Sequence, residues 1–141
     1  MEFELPTTQL IEYSQANNRV REIYDDIMST RNTDWVNNFW KALAPQPEVL
    51  ERTWKALKSV MAPGKIDTLK KELIYIAVSV TNSCNYCTNS HMASARTKGM
   101  DEEMLTELLS VVGMANQTNA LANGLQVEVD TPYIDGGLKS N

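Results

Sequence analysis

The 141-residue chain is long enough to bury a core without disulfide or metal staples, and its 43% hydrophobic and 22% charged content is ordinary for a soluble globular protein. A formal charge of -5, with no basic run beyond Lys70-Lys71, argues against nucleic acid or an anionic membrane as partner. No apolar stretch approaches the ~20 residues that span a bilayer, and the acidic start Met1-Glu2-Phe3-Glu4 has no secretory-signal pattern, so a cytoplasmic protein is expected.

Residues 1–14 read as an irregular lead-in containing Pro6. From Gln15 the apolar residues Val20, Ile23, Tyr24, Ile27 and Met28 recur at three- and four-residue spacing, which predicts a helix broken by Ser29, Thr30, Asn32 and Thr33. A second helix is expected from Asp34 as N-cap, with Trp35, Val36, Phe39, Trp40 and Leu43 as its stripe and Pro45 and Pro47 as its end. Pro47 suits the start of a third helix, whose stripe is Leu50, Trp54, Leu57, Val60 and Met61 and whose stop is Pro63-Gly64. The large aromatics between Trp35 and Trp54 read as core.

Asp67 or Thr68 caps a fourth helix. From Leu73 to Val80 only Tyr75 and Ser79 interrupt its apolar residues, so it is expected to be central, covered on nearly all sides. Ile and Val would also suit a strand, but the lead-in Leu69-Lys70-Lys71-Glu72-Leu73 favours helix. After Thr81-Asn82-Ser83 a fifth helix is expected from near Cys84 to Lys98, with Gly99 as its stop. Asp101 caps a sixth, opened by Glu102-Glu103 and striped by Met104, Leu105, Leu108, Leu109 and Val112; Gly113 is read as a kink or a division before a last segment ending at Gly124. Residues 126–141 read as an extended tail. The whole is all-α: a single-domain bundle of six to seven helices over residues 15–125.

Both cysteines and the only histidine fall within eight residues, Cys84-Asn85-Tyr86-Cys87-Thr88-Asn89-Ser90-His91. At ~100° per residue, Cys84, Cys87 and His91 share an arc of about 60° on one helix face. Ala95 continues that line and leaves room beside the sulfurs, while Tyr86 points the other way and reads as packing. Thiols in a first helical turn meet unpaired N–H groups and the positive dipole end, which favour thiolate. Histidine one turn beyond Cys87 can exchange protons with it near neutral pH. In a reducing compartment such a pair reads as redox-active or as part of a metal site. For zinc the three side chains are one ligand short, since the chain has no other Cys or His. Two readings therefore stand: a thiol enzyme, and a zinc-holding or assembly module. Glu72, at the border of the fourth helix's apolar arc, is an acceptor that could orient His91; by residue type alone it reads as a surface carboxylate.

Glu72, eleven residues, then Cys84-x-x-Cys87-x-x-x-His91 resembles the E-x(11)-C-x-x-C-x-x-x-H signature of the alkylhydroperoxidase D-like branch of the carboxymuconolactone decarboxylase superfamily. The flanking helices and Gly99-Met100-Asp101-Glu102-Glu103 extend the similarity over roughly residues 35–125. The resemblance implies an all-α fold, homo-oligomers (trimers or hexamers), and thiol peroxidase or disulfide oxidoreductase activity without a cofactor or a bound metal. It implies that Cys87 is the sulfur oxidised to sulfenic acid and Cys84 the proton donor and resolving thiol. The two would close a disulfide, with His91 and Glu72 passing the proton. The implied partners are a peroxide and an external dithiol or protein disulfide reductant. Decarboxylase members of the superfamily lack the cysteine pair, which turns the expectation away from lactone decarboxylation. Tyr86 stands where the best-studied members carry a second histidine.

Overall fold

The computed structural model describes residues 7–134. The start of the expected lead-in, through Pro6, and the end of the expected tail, with Gly136 and Gly137, lie outside the described residues. Among the described residues every regular element is helical: a 3-10 turn at Tyr13–Gln15 and α1 (Asn18–Arg31), α2 (Asn38–Leu43), α3 (Pro47–Met61), α4 (Thr68–Thr81), α5 (Asn85–Thr97), α6 (Glu102–Gly124) and α7 (Thr131–Ile134). They form two compact units that divide between Ala62 and Pro63, at the Pro-Gly stop.

In the first unit the Asn17 side chain caps α1 by accepting the Val20 N–H at 3.0 Å. Val20, Ile23, Tyr24 and Ile27 are buried with Trp40, Leu50 and Trp54. Two of these aromatics find partners for their polar ends: the Tyr24 hydroxyl donates to the Ile11 carbonyl at 2.7 Å, and Trp54 Nε1 to Asp26 Oδ2 at 2.7 Å, whereas the buried Trp40 Nε1 has no hydrogen-bond partner among the described residues. Three expectations fail here. The second helix begins at Asn38, and its N-cap is Asn37, three residues after Asp34. Trp35 and Phe39, read as core, are exposed, Trp35 at 64%. Thr33 Oγ1 accepts the Trp35 N–H at 3.4 Å, a local bond that competes with a helical turn. Val60 is also exposed, at the end of α3.

In the second unit Asp67 caps α4 and accepts the Lys70 N–H at 2.9 Å. Ile76, Ala95, Met100 and Leu105 are the buried centre, with Leu69, Leu73, Val80, Met92, Met104 and Leu108 around them. Helix α4 is not covered on all sides. Its Glu72, Ile76 and Ser79 side is buried, while Ile74 and Val78 are each 54% exposed. The turn into α5 passes through Ser83 in the left-handed region at φ 57, and the Cys84 N–H returns to the Ser79 carbonyl at 2.9 Å. That bond aims the start of α5 back at α4. Gly99, at φ 106, supplies the left-handed residue that ends α5 and lets Met100 turn into the core. Asp101 caps α6 through the Met104 N–H at 2.8 Å. Gly113 does not divide α6 into separate helices; an interior glycine costs only about 1 kcal/mol, and the flanking helix formers carry the ladder through it. In the tail, Thr131–Ile134 forms one turn where extended chain was expected, with the Tyr133 N–H bonded to the Asp130 carbonyl at 3.0 Å.

Candidate functional site

Cys84 is the N-cap of α5, a position usually held by an oxygen side chain, and its Sγ accepts the Cys87 backbone N–H at 3.4 Å. The hydrogen bond from the Cys87 side chain, together with the backbone N–H groups of Cys87 and Tyr86, holds the Cys84 thiol below its ordinary value. Cys87 lies deeper; burial, with the charge on Cys84 adding to it, pushes its thiol up to about 11. The two shifts are opposite, so Cys84 gives up its proton more readily than Cys87. Both thiols are free and partly buried.

Seven residues into α5, His91 Nδ1 meets Glu72 Oε2 of α4 at 2.6 Å. The same carboxylate accepts the Ser94 hydroxyl and the Lys98 ammonium, each at 2.8 Å on Oε1, and Lys98 also donates to Ser94 Oγ at 2.6 Å. Glu72 is only 4% exposed, so the expectation from residue type, a surface carboxylate, is overturned. Burial alone would raise its carboxyl. The donors His91, Lys98 and Ser94 outweigh that and hold it down at about 2. A neutral His91 ring that donates from Nδ1 keeps its lone pair at Nε2.

Tyr75, one turn along α4 from Glu72, stacks on the His91 ring with centroids 3.6 Å apart and planes 21° apart. Burial raises its hydroxyl, and the charges of Cys87, Cys84 and Glu72 raise it further. The ring therefore borders both pairs: it covers the imidazole and senses the sulfurs. Among the described residues no hydrogen bond joins His91 to either sulfur.

The predicted residues thus gather as two pairs, Cys84 with Cys87 and Glu72 with His91. Three neighbours, Tyr75, Ser94 and Lys98, were not singled out in the sequence. A readable signal existed for two of them, since His91, Ser94 and Lys98 recur at i, i+3 and i+7 on one helix face. Tyr86, expected to pack, is exposed. Among the described residues, no three His, Cys, Asp or Glu side chains gather in a way that could hold a metal ion; His91 Nδ1 is committed to Glu72.

The profile of the Carboxymuconolactone decarboxylase family matches residues 47–128. The crystal structure of the alkylhydroperoxidase AhpD core from Rhodospirillum rubrum is 42% identical, covers 93% of this chain and 98% of that one, and superposes with a TM-score of 0.90. An alkyl hydroperoxide reductase AhpD of Solibacter usitatus is 37% identical over 71 residues, 50% of this chain and 38% of that protein. An (R)-2-haloacid dehalogenase of Pseudomonas putida is 23% identical over 109 residues, 77% of this chain and 36% of that protein. The chain spans little more than a third of the length of these last two relatives.

Proposed function

Because the chain belongs to the AhpD-like branch of the carboxymuconolactone decarboxylase family, we propose that it is a thiol-dependent peroxidase that cycles Cys84 and Cys87 between dithiol and disulfide. The observation that carries this reading is the placement of both thiols at the start of α5, with Cys84 Sγ capped by the Cys87 N–H.

The steps follow from that arrangement. The Cys87 thiol passes its proton to the Cys84 thiolate along their hydrogen bond, which leaves Cys87 as the thiolate. Its sulfur attacks one peroxide oxygen, the O–O bond breaks, and Cys87 becomes a sulfenic acid while an alkoxide leaves. Cys84 returns its proton to the alkoxide, releasing an alcohol. The Cys84 thiolate then displaces hydroxide from the Cys87 sulfenic acid and closes the disulfide. His91, steadied by Glu72 and covered by Tyr75, takes up a proton from solvent at Nε2 and passes it to the hydroxide, which leaves as water. An external dithiol, small or on a partner protein, reduces the disulfide by two exchange steps.

Two wider features belong to the same reading. Exposed apolar side chains on α4 (Ile74, Val78) and α6 (Val111, Met114, Leu121) support assembly into a homo-oligomer, a trimer or hexamer. No helix among the described residues is long and apolar enough to cross a membrane. A cytoplasmic setting, where dithiol reductants are available, suits the cycle.

Trapping sulfenic acid with a dimedone-type probe tests the assignment of roles. Cys84→Ser treated with peroxide should carry the probe on Cys87, more slowly than the intact pair reacts because the acceptor of the Cys87 proton is gone, and Cys87→Ser should carry none on Cys84. Label on Cys84 alone would reverse the two roles.

A further inference from the structure

Glu72 faces more positive and donating groups than a proton carrier can use. One oxygen is taken by His91, the other by both Ser94 and Lys98, and the whole carboxylate is buried. Lys98 sits one turn beyond Ser94 on α5, and its ammonium is bonded to both ends of this bridge, to Glu72 at 2.8 Å and to Ser94 at 2.6 Å. Tyr75, on the same helix as Glu72, stacks on His91, and the charges of both sulfurs and of Glu72 act on its hydroxyl. The charged side chain that α6 contributes near the end of α5, Glu102, is paired with Arg96 at 3.2 Å on an exposed bridge.

We propose that Lys98 is a positioning residue that fixes the Glu72 carboxylate in its ionised form, so that Glu72 orients His91 and carries no proton itself. This rests on the peroxidase reading for its consequence in the reaction and on the four distances for its structure. A carboxylate shared with an ammonium draws less proton density from the imidazole than one facing it alone. Lys98 therefore lessens the pull of Glu72 on the imidazole and leaves Nε2 free to accept. It does this without touching sulfur, peroxide or the imidazole.

His91 is the chain's only histidine, so its ring signals in NMR need no assignment. Lys98→Met should make the ring take up its proton at higher pH than in the wild type, and Lys98→Arg should bring the titration back. In the reaction, peroxide-driven loss of thiols at pH 7 should slow by roughly five- to tenfold in Lys98→Met, approach the wild-type rate at higher pH, and recover in Lys98→Arg. Where the Met variant does not fold, Lys98→Gln removes the charge while keeping a polar end and is read the same way. Coincident His91 titrations in the wild type and the uncharged variant would overturn the proposal. A wild type whose thiols do not respond to peroxide would overturn the peroxidase reading instead, and the NMR comparison would still decide the role of Lys98.

Discussion

Glu72 Oε2 and His91 Nδ1 lie 2.6 Å apart across the α4–α5 packing, and the carboxylate is held there by two further donors. The contact fixes which ring nitrogen of His91 is left for chemistry. Glu72→Gln removes the charge with little change of shape. The rate of peroxide-driven thiol loss should fall about 100-fold, the scale of an acid–base catalyst that has lost its orientation, with folding intact by circular dichroism. Stopped-flow measurement at pH 7 checks it.

The same carboxylate makes stability depend on pH in a defined window. Its folded value, about 2, lies below the 4.5 of an ordinary glutamate, because the donors outweigh burial. A depressed value means that the folded state binds the proton less readily than the unfolded chain. The contribution is therefore complete above about pH 4.5 and is lost as the pH falls towards about 2, for about 3 kcal/mol in all. Urea denaturation at pH 7, 4 and 3 should show this decline in the wild type and a shallower one in Glu72→Gln.

The two thiols should differ in reactivity before any peroxide is added. The Cys84 thiol is lowered and the Cys87 thiol raised, so iodoacetamide at pH 8 should modify Cys84 first, by roughly tenfold or more in rate. In Cys87→Ala the S–H donor is gone, and alkylation of Cys84 should slow. Peptide mapping of partly alkylated protein gives both rates.

Tyr75 holds the open face of the imidazole. Tyr75→Phe keeps the ring and should leave stability and the His91 signals close to wild type. Tyr75→Ala removes the stack and should cost about 1 kcal/mol in denaturation. It should also broaden the His91 ring resonances.

Much of this was legible before any coordinates. Cys84, Cys87 and His91 are rare residues at helical spacing, and the caps at Asp67 and Asp101 are local signals that the structure repeats. The failures share a cause. Trp35 reads as helical because its apolar neighbours suit a helix, but its N–H bonds locally to the Thr33 hydroxyl and its side chain is exposed. Glu72, Ser94 and Lys98 are polar residues that look solvated in one dimension. Only the packing of α4 on α5 buries the carboxylate and brings its donors together. Ile74 and Val78 failed in the other direction: residue type placed them in a core, and their side of α4 is exposed.

The central claim is that Cys84 and Cys87 form one redox pair. Counting free thiols in the unfolded chain, before and after one equivalent of peroxide, tests it most directly. The account predicts that two thiols become none, without a covalent dimer, and that both return with a dithiol reductant. Two thiols still free after peroxide, in protein that is folded and starts fully reduced, would contradict it.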